Sequence, residues 1–150
     1  LIYFLDRLSK IYVIQLDKNN LGSDIFNSAY LNITLIWNKG IAFGLFSFTE
    51  AYLYNFLSLI ISIIIIILVV MSFKSPSFKK YSLLMIVGGA LGNLHDRIFI
   101  NAVPDFIDFH VGDFHWFVFN VADIFISIGV ILMIFFEIID NNRININDKN

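Results

Sequence analysis

Residues 51–73 have the sequence AYLYNFLSLIISIIIIILVVMSF, and no charged side chain lies between Glu50 and Lys74. A helix needs about 20 apolar residues to cross the hydrocarbon core of a bilayer. These 23 uncharged residues are therefore long enough to do so. Apolar runs longer than about 14 residues are uncommon in the buried helices of soluble proteins. The stretch predicts a membrane-spanning helix.

Apolar stretches on both sides of this segment predict three more membrane helices. The predicted helices cover residues 1–16, 51–73, 78–98 and 117–139. We expect the whole chain, 1–150, to be a single integral membrane domain of the all-α class, a four-transmembrane-helix bundle. Because the chain begins only five residues before Asp6, we also expect part of the first helix to precede it.

The positions of the few charged residues predict how this bundle is oriented. The link between the second and third predicted helices carries Lys74, Lys79 and Lys80 and no acid. Cytoplasmic loops of membrane proteins are enriched in Lys and Arg, so this link is predicted to be cytoplasmic. Alternation then places loops 17–50 and 99–116 outside and both termini inside.

The first predicted outer loop contains one stretch with strand character. Residues 31–38, LNITLIWN, alternate mostly between apolar and polar side chains and include β-branched ones. This pattern predicts a short strand. We expect it to belong to a small extracytoplasmic sheet resting on the bilayer.

The composition excludes several classes of protein. Charged residues make up 15% of the chain, against about 25% in soluble domains, which argues against an ordinary soluble globule. The net charge of −2 gives no electrostatic footprint for nucleic acid. The absence of cysteine excludes disulfides, thiolate zinc sites and cysteine nucleophiles. No Gly-x-Ser-x-Gly element of a serine hydrolase occurs.

Polar residues within the third and fourth predicted helices are candidates for function. An ionisable group inside a membrane helix costs about 2.5–3.5 kcal/mol, so it is a functional hypothesis by default. Asn120 and Asp123 share one helix face, about two turns into the fourth helix. Asn93 shares a face with Asp96 and Arg97. We expect Arg97 to hold Asp96 ionised, which favours a packing role for Asp96.

Paired carboxylates are the chemistry that these residues favour. Two carboxylates close together share one proton, so one can take a proton from water while the other hydrogen-bonds a scissile carbonyl. Asp123 is one candidate member. Spacing alone leaves Asp96, Asp105 and Asp108 open as the other.

Other interpretations of the same residues stay open at this point. His110 and His115 could bind a metal in a metal-dependent hydrolase, but their spacing matches no zinc-protease pattern, so we expect no metal and no cofactor. A transporter or assembly subunit could use Asp123 as a proton or ion site. Gly88 and Gly92 form a small-xxx-small pattern that predicts close helix packing.

Four blocks of the sequence, in order and over almost the whole chain, resemble the bacterial lipoprotein signal peptidase (signal peptidase II) family. They are Asp6-Arg-Leu-Ser-Lys10, Asn38-Lys-Gly40-Ile-Ala42-Phe43, Gly88-Gly-Ala-Leu-Gly92-Asn93-Leu-His-Asp96-Arg97, and Val103-Pro-Asp105-Phe-Ile-Asp108 followed by Phe119-Asn120-Val-Ala122-Asp123. One such match would be weak, whereas four in order are specific. Pro104 departs from the family, in which an aliphatic residue is usual before the catalytic Asp.

The resemblance implies a membrane aspartyl endopeptidase that cleaves diacylglyceryl-modified prolipoproteins just before the lipidated cysteine. It identifies Asp105 and Asp123 as the catalytic pair. It places supporting residues on Asn93, Asp96, Arg97 and Asn120, and residues that line or shape the site on Asn38, Gly40, Asp6 and Lys10.

The resemblance has further implications for the fold and the setting. It implies a β-cradle in the first outer loop and a mobile segment before the fourth helix that covers the site. We expect a monomer in the bacterial cytoplasmic (inner) membrane, with the active site near the extracytoplasmic face. Its partners would be lipid-modified prolipoproteins and membrane lipids.

Overall fold

The computed structural model describes residues 1–20, 24–40 and 51–147, which form four helices and four strands. The helices are α1 (Ile2–Asn19), α2 (Ala51–Lys74), α3 (Ser77–Phe99) and α4 (Val121–Asn147), and the strands are β1 (Phe26–Asn27), β2 (Leu31–Asn38), β3 (Val103–Val111) and β4 (Phe114–Phe119). The bounds of α1, α2 and α3 differ from the predicted ones by at most a few residues. Ala42 and Phe43 of the second sequence block lie outside the described residues.

Two of the helices are long and apolar enough to cross a membrane. The most apolar 18-residue window within Tyr52–Lys74 of α2 has a mean hydropathy of 3.1, and the one within Val121–Asp140 of α4 has 2.4. Only 11% and 17% of their most apolar parts are buried inside the protein. The core helix of a soluble protein would be mostly buried, so these surfaces require an apolar medium around them.

Helix α1 reverses the pattern of a soluble amphipathic helix. Its buried residues are Asp6, Lys10 and Val13, so two of its charged side chains point inward. Phe4 and Leu8 are each 65% exposed. In water the apolar side chains would be buried and the charged ones exposed. The side chains of Asp6 and Lys10 are therefore directed at the protein interior, where they form part of the site.

The strands form one antiparallel sheet in the order β1-β2-β3-β4. Strand β2 covers the residues predicted to be extended, so the strand prediction is confirmed. Asn38 pairs with Val103, and Ile36 pairs with Asp105. This register places Asp105 beside the end of β2 and next to the Asn38 side chain.

The second predicted outer loop, 99–116, differs from the expectation. Most of it folds into the hairpin β3–β4, which continues to Phe119 and so takes the place of the first predicted turn of the fourth helix. Val111 pairs with Phe114 across a two-residue turn. Gly112 has φ +59°, a conformation that glycine adopts at no steric cost. The sheet thus draws strands from both predicted outer loops: β1 and β2 lie in the first, as expected, and β3 and β4 extend the sheet with residues of the second.

Helix α3 packs closely on α1 and α4 because glycines face both of them. A Cβ atom on Gly89 would lie 2.5 Å from the carbonyl oxygen of Ala122 in α4. A Cβ atom on Gly92 would collide with the carboxylate of Asp6 in α1. Small residues let helix backbones approach in this way. The close packing predicted from Gly88 and Gly92 is confirmed.

Candidate active site

The first turn of α4 is capped by two side chains that bond to each other's backbone. The N–H of Asn120 donates to Oδ2 of Asp123 at 3.1 Å, and the N–H of Asp123 donates to Oδ1 of Asn120 at 3.2 Å. This capping box satisfies two N–H groups that a helix start leaves unpaired. The position expected for Asp123, about two turns into the helix, is wrong because β4 occupies residues 114–119.

Asp105 lies on β3 and is only 3% exposed. Its Oδ2 accepts from Nδ2 of Asn38 at 2.9 Å, and its Oδ1 accepts from Nδ2 of Asn120 at 2.6 Å. Burial, and after it the nearby Asp123 carboxylate, raises the pKa of Asp105 to about 6. A carboxyl group with such a pKa exchanges its proton near neutral pH, as general acid–base chemistry requires.

The structure separates the three acids that spacing left open. Asp105 is joined to Asp123 through the single residue Asn120. Asp108 is three residues further along β3, and alternation directs it to the opposite face of the strand. There it lies 2.9 Å from Nδ1 of His115. Asp96 is bound by cations of α1, so of these three acids only Asp105 shares the hydrogen-bonding residue Asn120 with Asp123.

Asn93 of α3 connects this pair to the charged residues of α1. Its Nδ2 donates to Oδ1 of Asp123 at 2.8 Å. Its Oδ1 accepts from Nζ of Lys10 at 2.9 Å and from Nδ2 of Asn120 at 3.2 Å. The ammonium group is a donor only, so it fixes which side of the Asn93 amide faces Asp123.

Lys10 is fully buried, and its ammonium group makes three charge-assisted hydrogen bonds. The acceptors are Asp6 Oδ2 and Asp96 Oδ2, both at 2.8 Å, and Asn93 Oδ1 at 2.9 Å. All three donors of the lysine are therefore used. Asp6 in turn accepts the N–H of Ala122 at 3.0 Å, so α1 supplies a further cap to the start of α4.

The expected pairing of Arg97 with Asp96 is wrong. Asp96 is ion-paired with Lys10 and Arg7 of α1. The Arg97 guanidinium instead donates to the carbonyl oxygen of Gly40 at 3.1 Å. Neighbouring residues on a helix point about 100° apart, so Arg97 and Asp96 face different partners. Arg97 thereby ties the end of α3 to the segment that follows β2.

Gly40 and Asn38 form a small turn that orients the Asn38 amide. The N–H of Gly40 donates to Oδ1 of Asn38 at 2.8 Å. The same amide must then present its Nδ2 donor to Asp105, as it does. The bond from Arg97 to Gly40 holds this turn in place.

Hydrogen bonds and ion pairs join all ten predicted site residues in one network. Among the described residues its charged members are four acids and three cations. The acids are Asp6, Asp96, Asp105 and Asp123, and the cations are Arg7, Lys10 and Arg97. A single proton on one carboxyl group makes this set electrically neutral.

An apolar pocket of about 410 Å³ opens beside Asp123. Its lining residues are Trp116, Phe117, Phe119, Asp123, Ile124, Ser127 and Ile128. Asp123 is the one ionisable group among them. A mostly apolar pocket with a single acid at its edge is typical of a ligand-binding site.

Comparison with known proteins shows the family of the chain. The sequence model described as signal peptidase (SPase) II matches residues 1–139. The chain belongs to the signal peptidase II family. The lipoprotein signal peptidase of Pelagibacter ubique (strain HTCC1062) is 48% identical over 149 residues, 99% of this chain and 89% of that protein. The lipoprotein signal peptidase of Anaplasma phagocytophilum (strain HZ) is 43% identical over 143 residues, 94% of this chain and 89% of that protein. As a signal peptidase II, the protein is an aspartic peptidase.

Two solved structures, each described as a bacterial membrane enzyme, share the fold of this signal peptidase II. One has a TM-score of 0.79 at 30% identity, covering 95% of this chain and 85% of that chain. The other has a TM-score of 0.74 at 32% identity, covering 89% and 85%. The helices and the small antiparallel sheet are thus those of a membrane enzyme.

Arg7 is a residue of this signal peptidase II network that the sequence predictions missed. Its guanidinium is ion-paired with Oδ1 of Asp96, and its side chain is only 13% exposed. Arg7 and Lys10 are three residues apart and therefore share a helix face. A second cation on the face that carries Lys10 was the available signal.

Proposed function

We propose that this enzyme removes the signal peptide from diacylglyceryl-modified prolipoproteins, cutting before the lipidated cysteine with Asp105 and Asp123 as the catalytic dyad. The observation that carries the proposal is the position of Asn120. Its side chain donates to Asp105 while its backbone donates to Asp123. The two carboxyl groups are thereby held together in a buried site beside an apolar pocket.

The proposed chemistry uses one proton on the pair. The ionised carboxylate takes a proton from a water molecule, and the water oxygen attacks the scissile carbonyl carbon. The protonated carboxyl group gives its proton to the carbonyl oxygen as the tetrahedral intermediate forms. Collapse of the intermediate passes a proton to the leaving amine of the cysteine and restores the dyad. Since the two groups interact, their apparent pKa values belong to the pair.

The environment of the dyad suits a substrate that lies in the membrane. The pocket beside Asp123 is lined by aromatic and aliphatic side chains, which would accept an acyl chain or the apolar part of a signal peptide. A diacylglyceryl group keeps its protein in the bilayer, so the protease must work at the membrane surface. The mobile segment expected before α4 remains a prediction.

We propose that all four helices cross the membrane as a single domain, 1–150. Helices α1 and α3 are less hydrophobic overall because they carry the buried ions, but their outward surfaces are apolar. Lys74, Lys79 and Lys80 favour a cytoplasmic position for the α2–α3 link. The sheet and the dyad would then lie at the extracytoplasmic face of the bacterial inner membrane. The enzyme would act there as a monomer.

A processing assay tests the dyad directly. Purified Asp105→Asn and Asp123→Asn variants in detergent are incubated with a diacylglyceryl prolipoprotein, and cleavage is followed by gel shift. We expect both variants to lose cleavage while the wild type processes the substrate fully. Asp113→Asn is the matched control, because Asp113 is an exposed acid in the hairpin turn between β3 and β4. Normal processing by either dyad variant would refute the proposal.

The alternative of metal-dependent hydrolysis is tested in the same assay. Asp108, His110 and His115 lie close together on the hairpin, so they could in principle supply a catalytic metal. The proposal expects cleavage to continue in chelator and in the His110→Ala/His115→Ala variant. Loss of cleavage in both, with recovery of the chelated wild type on adding zinc, would favour the metal mechanism.

The topology is testable because the chain contains no cysteine. Single variants Asp113→Cys and Ser75→Cys place one thiol in the β3–β4 turn and one in the α2–α3 link. A membrane-impermeant maleimide should label Asp113→Cys in intact spheroplasts. It should label Ser75→Cys only after permeabilisation. The reverse pattern would contradict the orientation.

A further inference from the structure

We propose that Asp108, His110 and His115 form a binding site for a divalent transition-metal ion, with zinc as the representative metal. Each residue offers one ligand atom, and these atoms all lie within 4.8 Å of one another. Neither histidine has a role in the proposed chemistry of the dyad. Imidazole nitrogens with one carboxylate oxygen form a donor set that suits zinc and copper rather than magnesium or calcium.

The hairpin brings these residues together through its register. Asp108 and His110 are two residues apart on β3 and therefore point to the same face. His110 pairs directly with His115 on β4, so the histidine from the second strand lies on that face as well. The register of the hairpin shifts between Asp108 and His110. Asp105 is on the other face of β3, so the metal site is separate from the dyad.

Polar atoms of the cluster are available as ligands. Asp108 is buried, and neither its Oδ1 nor Nδ1 of His110 has a hydrogen-bond partner among the described residues. Buried polar atoms without partners are uncommon in folded proteins and call for an explanation. Oδ2 of Asp108 lies 2.9 Å from Nδ1 of His115, and the two imidazole rings are stacked with centroids 4.9 Å apart. A metal ion bound by the cluster would provide a partner for Asp108 and His110, the two residues that have an unpartnered polar atom.

The dimensions fit after a small movement of one side chain. Zinc–nitrogen and zinc–oxygen bonds are about 2.0–2.2 Å, which puts tetrahedral ligand atoms roughly 3.4 Å apart. The most separated atoms would therefore have to approach by at most about 1.4 Å. The His115 side chain is 52% exposed and has room for this movement. Water would complete the coordination, and the bound ion would tie β3 to β4.

Isothermal titration of the full chain in detergent micelles with Zn²⁺ tests the site. We expect one ion per chain, and at least tenfold weaker binding in Asp108→Asn, His110→Ala and His115→Ala. His95→Ala is the matched control. The chain has three histidines, and His95 is the one outside the proposed site: it lies on α3 and is hydrogen-bonded to Tyr3. This variant should bind as the wild type does. Zinc should also raise the melting temperature of the wild type and of His95→Ala but not of the site variants.

Three results would overturn the proposal. They are the absence of saturable zinc binding by the wild type, unchanged binding by His110→Ala/His115→Ala, and loss of binding in His95→Ala. Titration of the unaltered protein with Co²⁺ gives a second test that does not depend on how the variants fold. Strong visible absorption is expected from a tetrahedral site, whereas a weak octahedral spectrum would count against it. Prolipoprotein cleavage should persist in chelator, so failure of this site and failure of the dyad are distinguishable.

Discussion

Asn120 and Asp123 cap the first turn of α4 reciprocally, each backbone N–H donating to the other residue's side chain at 3.1 and 3.2 Å. Asp123 is therefore a structural residue as well as a member of the proposed dyad. Any substitution at this position changes both the chemistry and the stability of the helix start. The two effects can be separated by choosing side chains that differ in their ability to cap.

Asp123→Asn and Asp123→Ala are expected to be equally inactive but unequally stable. Asparagine keeps an acceptor for the N–H of Asn120, whereas alanine has none. Loss of a helix cap costs about 0.5–2 kcal/mol, so the alanine variant should melt at the lower temperature. Thermal unfolding in detergent measures this difference. Equal melting temperatures would show that the Asp123 cap contributes nothing.

The burial of Asp105 predicts how stability depends on pH. The pKa of this carboxyl group rises from 3.8 to about 6 on folding, so the folded protein binds more protons than the unfolded chain in that interval. Stability contributed by this group therefore falls as pH rises through the interval and stays reduced above about 6. A shift of this size corresponds to at most about 3 kcal/mol.

Asp105→Asn should flatten this dependence because an amide does not titrate. Melting temperatures measured from pH 4 to 7 should fall less steeply for Asp105→Asn than for the wild type. Asp113→Asn, in the exposed hairpin turn, should follow the wild type. Parallel curves for the wild type and Asp105→Asn would contradict the assignment.

Removing the buried cation of α1 should be strongly destabilising. Lys10→Met preserves most of the side-chain volume but leaves Asp6 and Asp96 without their shared ammonium. Breaking a buried ion pair in this way costs about 3–5 kcal/mol. Lys18→Met, at an exposed position near the end of the same helix, should change stability by less than about 0.5 kcal/mol. A similar loss in both variants would show that the network around Lys10 is not what stabilises α1.

A methyl group on Gly89 is expected to separate α3 from α4. Its Cβ would lie 2.5 Å from the Ala122 carbonyl oxygen, which belongs to backbone and cannot rotate away. Overpacking costs about 1–3 kcal/mol, partly offset by the roughly 1 kcal/mol by which alanine favours a helix. We expect Gly89→Ala to melt at a lower temperature and to cleave more slowly, because Ala122 adjoins Asp123. Leu91→Ala, on the exposed side of α3, should keep full cleavage.

Local sequence patterns predicted the elements whose conformation follows from the order of apolar and polar residues along the chain. The uninterrupted apolar run predicted α2, and alternation predicted β2 to the residue. The β3–β4 hairpin was missed because exposed aromatic side chains there break the apolar–polar alternation. Its turn nevertheless carried a signal, since Gly112-Asp113 between two strand-like segments is a typical two-residue hairpin connection.

Partners that are distant in the chain could not be predicted from spacing. Asp96 was assigned to its neighbour Arg97, but Lys10 of another helix binds it. Resemblance selected Asp105, and its link to Asp123 depends on the strand register and on Asn120. Neither is visible in a single sequence. Arg7 was missed for the same reason, because its partner lies on α3.

The unequal count of four acids and three cations in the buried network, the dyad included, bears on how these charges are accommodated in a membrane protein. The penalty for transferring a group of ions into a medium of low polarity is smallest when their charges cancel. Here cancellation requires one proton on a carboxyl group, which is also what the proposed dyad needs before it can act. Burial raises the pKa of Asp105 to about 6, so a proton held on Asp105 would serve both the charge balance of the buried network and the acid of the proposed dyad.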